Sequence, residues 1–543
     1  MTRLWRIAFA WLALVVRAAH SQYELPLEPV ETPPPVGERD AGLPISNPQL
    51  TEPWWVSDPS ALKSEREPTQ GWELDQLIWL AVEHSPYVQA VVIAPQIQEA
   101  RAAALLGEFD PTTFVDSIVR DTSEPVGNTL ITGSANRLND HVWDNTAGIR
   151  DKNQRGGVTQ LSQGVNLKDS NSDFFIPGDQ ANTKMLLRYT QPLMRNGGTA
   201  YNRSSYLIAT VEAAQSMQEA SAAIQDHALT ITTAYWELYA AYAYRAQIER
   251  GIRSLESLRN QLAGRSDLDS LESQLLRANA EISRQRADQA QARSQINSAQ
   301  ANLRANVAAP ALRGRGGIAI FPATPTSDWY GHYSLENELS IALSYHPEIQ
   351  SLRDALRASR IRLQVAEQDL RPTLDLVLEG YLNGLNGDFN AIRSFGDQFS
   401  VGAPSYSAGL SFARPYRNRT ATAILRERRL ELQRDLLKLD HTLLIVGAEV
   451  ESALARVNAA FQQLESAVQS TLSTHAEREY LMARWQNAFL DGTQTSLLLD
   501  QLLNAEIQLI SAEHAWARAQ ADHMIAIAQL SRATGALVPM LGL

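Results

Sequence analysis

The chain carries 10 histidines, 60 acidic residues and no cysteine in 543 residues, yet their spacing assembles no reaction centre. His84, His227, His346, His441, His475, His514 and His523 stand apart, and none forms the His-Glu-x-x-His pair that holds a catalytic zinc on one helix face. His227 and His523 fall on heptad lines, where a hydrogen-bonded packing role is the commoner use. The lack of cysteine removes thiol nucleophiles, disulfides and thiolate metal sites. Gly197-Gly198 stands without the further glycines and lysine of a phosphate-cradling loop. These residues imply no enzyme, no cofactor and no metal, and a net charge of -12 argues against a nucleic-acid partner.

The elements say more than the reactive residues do. Leu74, Ala81, Pro86, Gln89 and Pro111 recur at one fixed offset as Leu335, Ala342, Pro347, Gln350 and Pro372. Such a recurrence marks an internally duplicated architecture. Ahead of the first copy, Arg3 and Arg6 precede an apolar run and then Ala19-His20-Ser21, the pattern of a secretory signal over residues 1–21. Prolines crowd residues 22–70, which predicts an extended tether or strap, with Trp54-Trp55 as its contact point. The predicted divisions are then a first repeat over 71–310, a linker over 311–333, a second repeat over 334–537 and a short tail over 538–543.

Each repeat begins with helical spacing broken by a proline. After Pro111 and Pro372 the apolar period falls from about 3.6 to 2, most clearly at Leu374, Leu376, Leu378 and Leu382. Met185, Leu187 and Tyr189 before Pro192, and Ala408, Leu410 and Phe412 before Pro415, predict the return strands. Each half thus supplies two strands, joined by long polar loops over about Asp121–Asn182 and Asn383–Pro404. Four strands cannot close a wall, since the smallest membrane barrels need about eight. Their edges must be covered by helices or paired with other copies of the chain.

The long proline-free runs decide between those outcomes. From about Ala200 to Ala263, and again from about Thr420 to Phe489, apolar residues repeat by sevens, including Ile224, Ile231 and Leu238 beside Ala213, Ala220 and Ala241. At 1.5 Å per residue these are rods of roughly 95 and 100 Å. Each reverses at a glycine-bearing turn, Gly264-Arg265-Ser266-Asp267 or Asp491-Gly492-Thr493-Gln494, into a shorter helix with the same period. Strict sevens underwind helices into coiled-coil packing, and alanine on the seam lets them approach closely. The shorter return helices leave a length that Trp72–Leu106 and Leu335–Leu370 fit, stacked end to end with them.

This order, done twice, resembles the TolC-type outer-membrane efflux proteins across about residues 72–537. The resemblance rests on Gln191-Pro192-Leu193-Met194-Arg195-Asn196-Gly197-Gly198, on Ala81 and Ala342 set ahead of Ser85-Pro86 and His346-Pro347, and on Gly492-Thr493-x-Thr495-Ser496-Leu497-Leu498 before Asp500-Gln501-Leu502. It implies a mainly α chain with a small β part: a duplicated long-helix coiled-coil barrel in the periplasm below a 12-stranded transmembrane β-barrel shared by a homotrimer, four strands per chain. Pro111, Pro192, Pro372 and Pro415 would mark the helix–strand junctions. It further implies an exit duct of a tripartite efflux or type I secretion system, partnered by a periplasmic adaptor, an inner-membrane transporter and outer-membrane lipid. Gly264, Arg265, Ser266 and Leu268, with Gly492, Thr493, Thr495 and Ser496, would form the adaptor-docking tips. Asp500, and secondarily Asp269, would ring the periplasmic entrance, although Leu503-Asn504 stands where a second aspartate is expected. The rival reading is a secreted coiled-coil scaffold of the cell envelope that conducts nothing.

Overall fold

The computed structural model describes residues 53–57, 69–263, 271–312, 319–326, 333–401, 403–488 and 495–537. The expected signal, most of the proline-rich segment, the tail, and Gly264, Arg265, Ser266, Leu268, Asp269, Gly492 and Thr493 lie outside the described residues.

The described residues run through α1 (Trp54–Ser57), β1 (Thr69–Trp72), α2 (Leu74–His84) and α3 (Pro86–Leu105). Strands β2 (Thr112–Pro125), β3 (Arg137–Lys152), β4 (Val158–Ser170) and β5 (Asp179–Pro192) follow, then α4 (Ser204–Ala263) and α5 (Leu271–Val307). The second half runs β6 (Ala319–Pro322), α6 (Leu335–Tyr345), α7 (Pro347–Asp369), β7 (Thr373–Gly387), α8 (Ala391–Ser400), β8 (Ser405–Ala413), α9 (Arg419–Ala488) and α10 (Thr495–Ala533).

The helical half follows the sequence closely. The rods α4 and α9 have 60 and 70 residues, about 90 and 105 Å at the α-helical rise. Against α4 pack α3 and α5, and against α9 pack α7 and α10, while α7 and α10 also lie on α4. At the first stacking point His227 on α4 meets both Ser85, at the α2–α3 break, and the Asn306 carbonyl, at the end of α5. Pro86 and Pro347 stand at the first positions of α3 and α7, where a missing N–H costs nothing and the fixed φ starts a new helix. Of the heptad residues, Ile231, Leu238, Ile248 and Leu255 are fully buried, whereas Met217 is about half exposed.

The rods touch closely where a side chain is missing. A Cβ built on Gly251 of α4 would collide with the side chain of Ile510 on α10. Glycine is kept mid-helix despite its propensity cost because the neighbouring axis needs that space. Replacing Gly251 with Leu is therefore expected to destabilise the bundle by about 1–3 kcal/mol. A melting curve no lower than wild type would show that the two helices do not need the gap.

At mid-height the rods close on an aromatic core. Trp55, Tyr235, Trp236 and Trp516 are buried together, with Trp55 edge-on to Trp516 at 5.3 Å between ring centroids. Beside them β1 pairs in parallel with β6, so that the expected strap and the expected linker share a two-stranded sheet. Tyr235 on α4 fastens this clamp, its hydroxyl donating to Trp72 O at 3.0 Å and accepting from Thr324 N at 2.8 Å.

The β part differs from expectation. The main sheet has six strands in the unbroken order β2-β3-β4-β5-β7-β8, every neighbour antiparallel. The four strands per chain expected from the sequence are corrected to six, because the supposed loop over Asp121–Asn182 contains the end of β2, all of β3 and β4, and the start of β5. Consequently β5 is not the partner of β2 but lies between β4 and β7. The supposed loop over Asn383–Pro404 likewise holds the end of β7 and α8.

Candidate functional site

The pairing register sorts the sheet into two chemically opposite faces. On one face, neighbouring strands present Val115 and Val119, then Trp143, Ala147 and Ile149, then Leu161 and Leu167. The same face continues through Met185 and Leu187 to Leu376, Leu378 and Leu382, and then Leu410. The opposite face carries Asp116 and Arg120, Asp140 and Asp144, Asn166 and Lys168, Lys184 and Arg188, and Glu379. That polar face is cross-linked laterally. Arg120 and Asn166 both donate to Asp144, Lys168 pairs with Asp140 at 2.8 Å, and Arg188 pairs with Glu379 at 2.8 Å. Apolar-out, polar-in alternation of this kind lets one face meet hydrocarbon and the other line water.

Helix α8 lies on the apolar face with its own polarity reversed. Ser394 and Gln398 are fully buried, Ser394 Oγ 3.0 Å from Thr183 Oγ1 and Gln398 bonded to Gln163. Outward point Ile392 at 87%, Phe399 at 55% and Val401, just past the helix end, at 81% exposure. The helix approaches so closely that a Cβ on Gly384 of β7 would overlap Ser394 O. The helix covers a polar patch in that face, formed by Gln163 and Thr183.

The expected junction prolines lie where sheet and rods meet. Pro192 ends β5, while Pro111, Pro372 and Pro415 flank β2, β7 and β8. Past Pro192 the chain is stitched to the second half, with Leu193 N donating to Leu374 O at 2.7 Å and Arg195 N to Pro372 O at 3.3 Å. Asp369, at the end of α7, accepts from Arg195 Nε at 3.3 Å and from Tyr201 at 2.9 Å. A cavity of about 570 Å³ opens here, lined by Arg195, Asp369, Pro415 and Arg417 among others.

At the far end of the rods, four helices converge on a leucine core. Leu255, Leu258 and Leu262 of α4 pack with Ile282, Leu481, Trp485, Leu499 and Leu502. Asp500 stands outside this core and forms an ion pair with Arg277 of α5 at 2.5 Å. The hydrogen bond from Arg277 to Asp500 holds the guanidinium above its ordinary pKa. Asp500 is thus a paired charge. Leu503, where a second acidic residue was expected, is buried in the leucine core, and Thr495 and Ser496 open α10.

One constellation escaped the sequence reading. Glu506, Glu513 and Gln520, spaced by sevens on α10, are each at most 2% exposed. Arg478 of α9 donates to Glu506 at 2.9 Å, and Arg250 of α4 donates to Glu513 at 2.5 Å. Trp54 Nε1 also donates to Glu513 at 3.1 Å, while Gln520 accepts from Tyr239 at 3.0 Å. Burial raises the Glu513 pKa from its ordinary value, and Arg250 and Trp54 pull it back. The signal was present as a polar residue every seventh position, directly after Ala505, Ala512 and Ala519. Buried polar groups at heptad positions fix register and partner choice in coiled coils at a cost in stability.

Among the described residues no single helix is long and apolar enough to cross a membrane, and no group of three His, Asp or Glu could hold a metal ion. No family model matches the chain, and no curated protein does. Solved structures do. The outer-membrane channel OprN is 17% identical, with TM-score 0.59 over 89% of this chain and 92% of that one. The open-state MtrE outer membrane channel of Neisseria gonorrhoeae is 16% identical, with TM-score 0.57 over 86% and 89%. CusC, described in its folding and transmembrane channel formation, is 14% identical, with TM-score 0.59 over 87% and 94%. At these identities the likeness is one of fold: the chain is built as these outer-membrane channels are.

Proposed function

We propose that this chain, having the fold of the TolC-type outer-membrane channels, is the exit duct of a tripartite efflux or type I secretion system. Three copies share one β wall in the outer membrane and one tube of helices in the periplasm. Solutes pass through unchanged, delivered by a periplasmic adaptor and an inner-membrane transporter. The observation that carries this reading is the two-faced sheet, apolar on one side and charged on the other, continuous with rods of about 90–105 Å. Both sheet edges, β2 and β8, are open for pairing with other copies. A conductance-free scaffold accounts for the rods but leaves a sheet sorted in this way without a purpose.

The leucine-cored end of the rods is the adaptor-docking entrance in this reading, with Gly264, Arg265, Ser266 and Leu268 and with Gly492, Thr493, Thr495 and Ser496 at its rim. Asp500, with Asp269 as the secondary candidate, sets the charge there. Because Asp500 is paired with Arg277, the two charges oppose each other in their effect on passing ions. Purified protein in planar bilayers is expected to give discrete conductance steps, and chemical cross-linking is expected to stop at a trimer. Arg277→Ala should raise cation preference and Asp500→Ala should lower it, with the double variant between them. No conductance across the accessible protein range would leave the scaffold standing, and unchanged selectivity in all three variants would take the pair out of the entrance.

A further inference from the structure

The hairpin β3–β4 has no counterpart in the four-strand plan, and its position in the sheet is informative. Its strands have 16 and 13 residues, each more than the roughly 9–11 that a tilted strand needs to cross a bilayer. They are paired along their whole length, β3 with β2 from Thr112↔Arg150 to Pro125↔Arg137, and β4 with β5 from Val158↔Thr190 to Asp169↔Asp179.

Both ends of the hairpin fall level with the ends of its neighbours. Its turn, Asn153–Gly157, reaches the strand–helix junction, where Arg155 O accepts from Gly198 N and from Gln191 Nε2, each at 3.2 Å. Gly156, with φ of 86°, leaves no room for a side chain, since a Cβ would lie 2.6 Å from Asn196 O. The Gln-Pro-Leu-Met-Arg-Asn-Gly-Gly segment is therefore shaped around this turn as well as around the second half. At the opposite end one row, Val142↔Lys168↔Gln180↔Gly387, runs from the hairpin across β5 to β7.

The faces continue as well. Ala147, Ile149 and Leu161 extend the apolar face, all exposed except for pairing neighbours, while Asp144, Thr146 and Asn166 extend the polar one. A hairpin projecting into water above the membrane would have no reason to keep that separation. Helix α8, presenting Ile392 and Phe399 away from the sheet, shows independently that the apolar face is built for a non-aqueous surrounding.

We propose that β3 and β4 are wall strands, so that each copy contributes six strands to the membrane barrel, joined to the next copies by antiparallel pairing of β2 with β8. Strand β2 runs away from the rods and β8 toward them, so the pairing has the sense that an even-stranded antiparallel barrel requires. This inference rests on the exit-duct reading. With three copies the wall has three times six, or eighteen, strands. Barrel diameter grows roughly linearly with strand number, and walls of 16–18 strands leave an open aqueous channel. The membrane section is about half as wide again as a twelve-stranded one, which moves the size limit for cargo to the helical tube and suits bulky, hydrated solutes.

The chain has no cysteine, so single cysteines report unambiguously. In vesicles holding the full-length protein, a membrane-impermeant maleimide is expected to label Thr146→Cys and Asn166→Cys from the water-filled interior. Ala147→Cys and Leu161→Cys should lose that labelling and react only with a lipid-soluble maleimide. Leu187→Cys on β5 and Leu378→Cys on β7 are the controls, lying on the same apolar face but outside the hairpin. If Ala147→Cys and Leu161→Cys label from water while both controls stay protected, the hairpin lies outside the bilayer and the six-strand wall is overturned. Labelling of the controls too would overturn the exit-duct reading itself, a distinct outcome.

Discussion

Replacing Arg250 with Ala is expected to destabilise the helical part by about 3–5 kcal/mol at neutral pH, the cost of leaving a buried charge without its partner. Glu513 is 2% exposed, and Arg250 is its nearest cation, stacked over the Trp54 ring at 4.5 Å. The loss should depend on pH, with a sign that follows from the carboxyl group. Burial already raises the folded pKa of Glu513 from 4.5, and Arg250 opposes that rise. Removing Arg250 lifts it further. A group that binds its proton more tightly when folded stabilises most below its unfolded pKa, and that contribution is lost as pH rises through the folded value. Melting of Arg250→Ala and wild type should therefore differ little below the ordinary carboxylate pKa and most once the pH has passed the raised folded value. A deficit independent of pH would mean that lost packing, and not the carboxylate, is responsible. Arg250→Ala combined with Glu513→Gln should recover stability at neutral pH.

Leu187→Arg is expected to cost about 2–4 kcal/mol of membrane-embedded stability, the penalty for a cation on the lipid side near mid-bilayer. Leu187 is paired with Leu161 on one flank and Gly380 on the other, in the middle of the apolar face. Asn383→Arg, on β7 but on the polar face beside Lys184, should cost little. Urea-driven unfolding from lipid vesicles, read by the loss of heat-resistant mobility on gels, measures both. Equal losses for the two variants would mean that the faces do not meet different solvents.

The helical architecture was readable because period and length act over many residues. Sixty or seventy positions without proline, with apolar residues every seventh, leave few alternatives, and a proline at the start of α3 and α7 fixes the breaks. β7 was equally plain, since Leu374, Leu376, Leu378 and Leu382 stand on one face, broken only by Gly380. β3 and β4 were not, for a physical reason. Their apolar face is diluted by Asn145, which is bonded to Ser117 at 2.7 Å, and by Gln163, which is sheltered by Gln398 of α8. Period-2 reading sees such positions as breaks, because the residue that shelters Gln163 lies 235 positions away in the chain.

At the rods' far end, Leu503 looked like a missing aspartate because the heptad alone does not say which side of the helix meets water. The four-helix core settles it as apolar packing. Glu506 and Glu513 were hidden by the opposite expectation, that charged residues on a coiled coil are exposed. Their arginine partners come from different helices, α9 and α4, so no local pattern pairs them.

The mid-height clamp has a consequence for how the molecule is made. Trp54 reaches Glu513 across 459 positions, and the Leu74 amide reaches the Thr324 hydroxyl across 250. Contacts so distant in sequence form late, after local hairpins of helix and strand have gathered. Nascent chains that end before α10 lack the acceptor for Trp54, however complete their first half. The contacts of Trp54 with Glu513 and of Trp55 with Trp516 therefore complete the girdle only once the last helix has arrived.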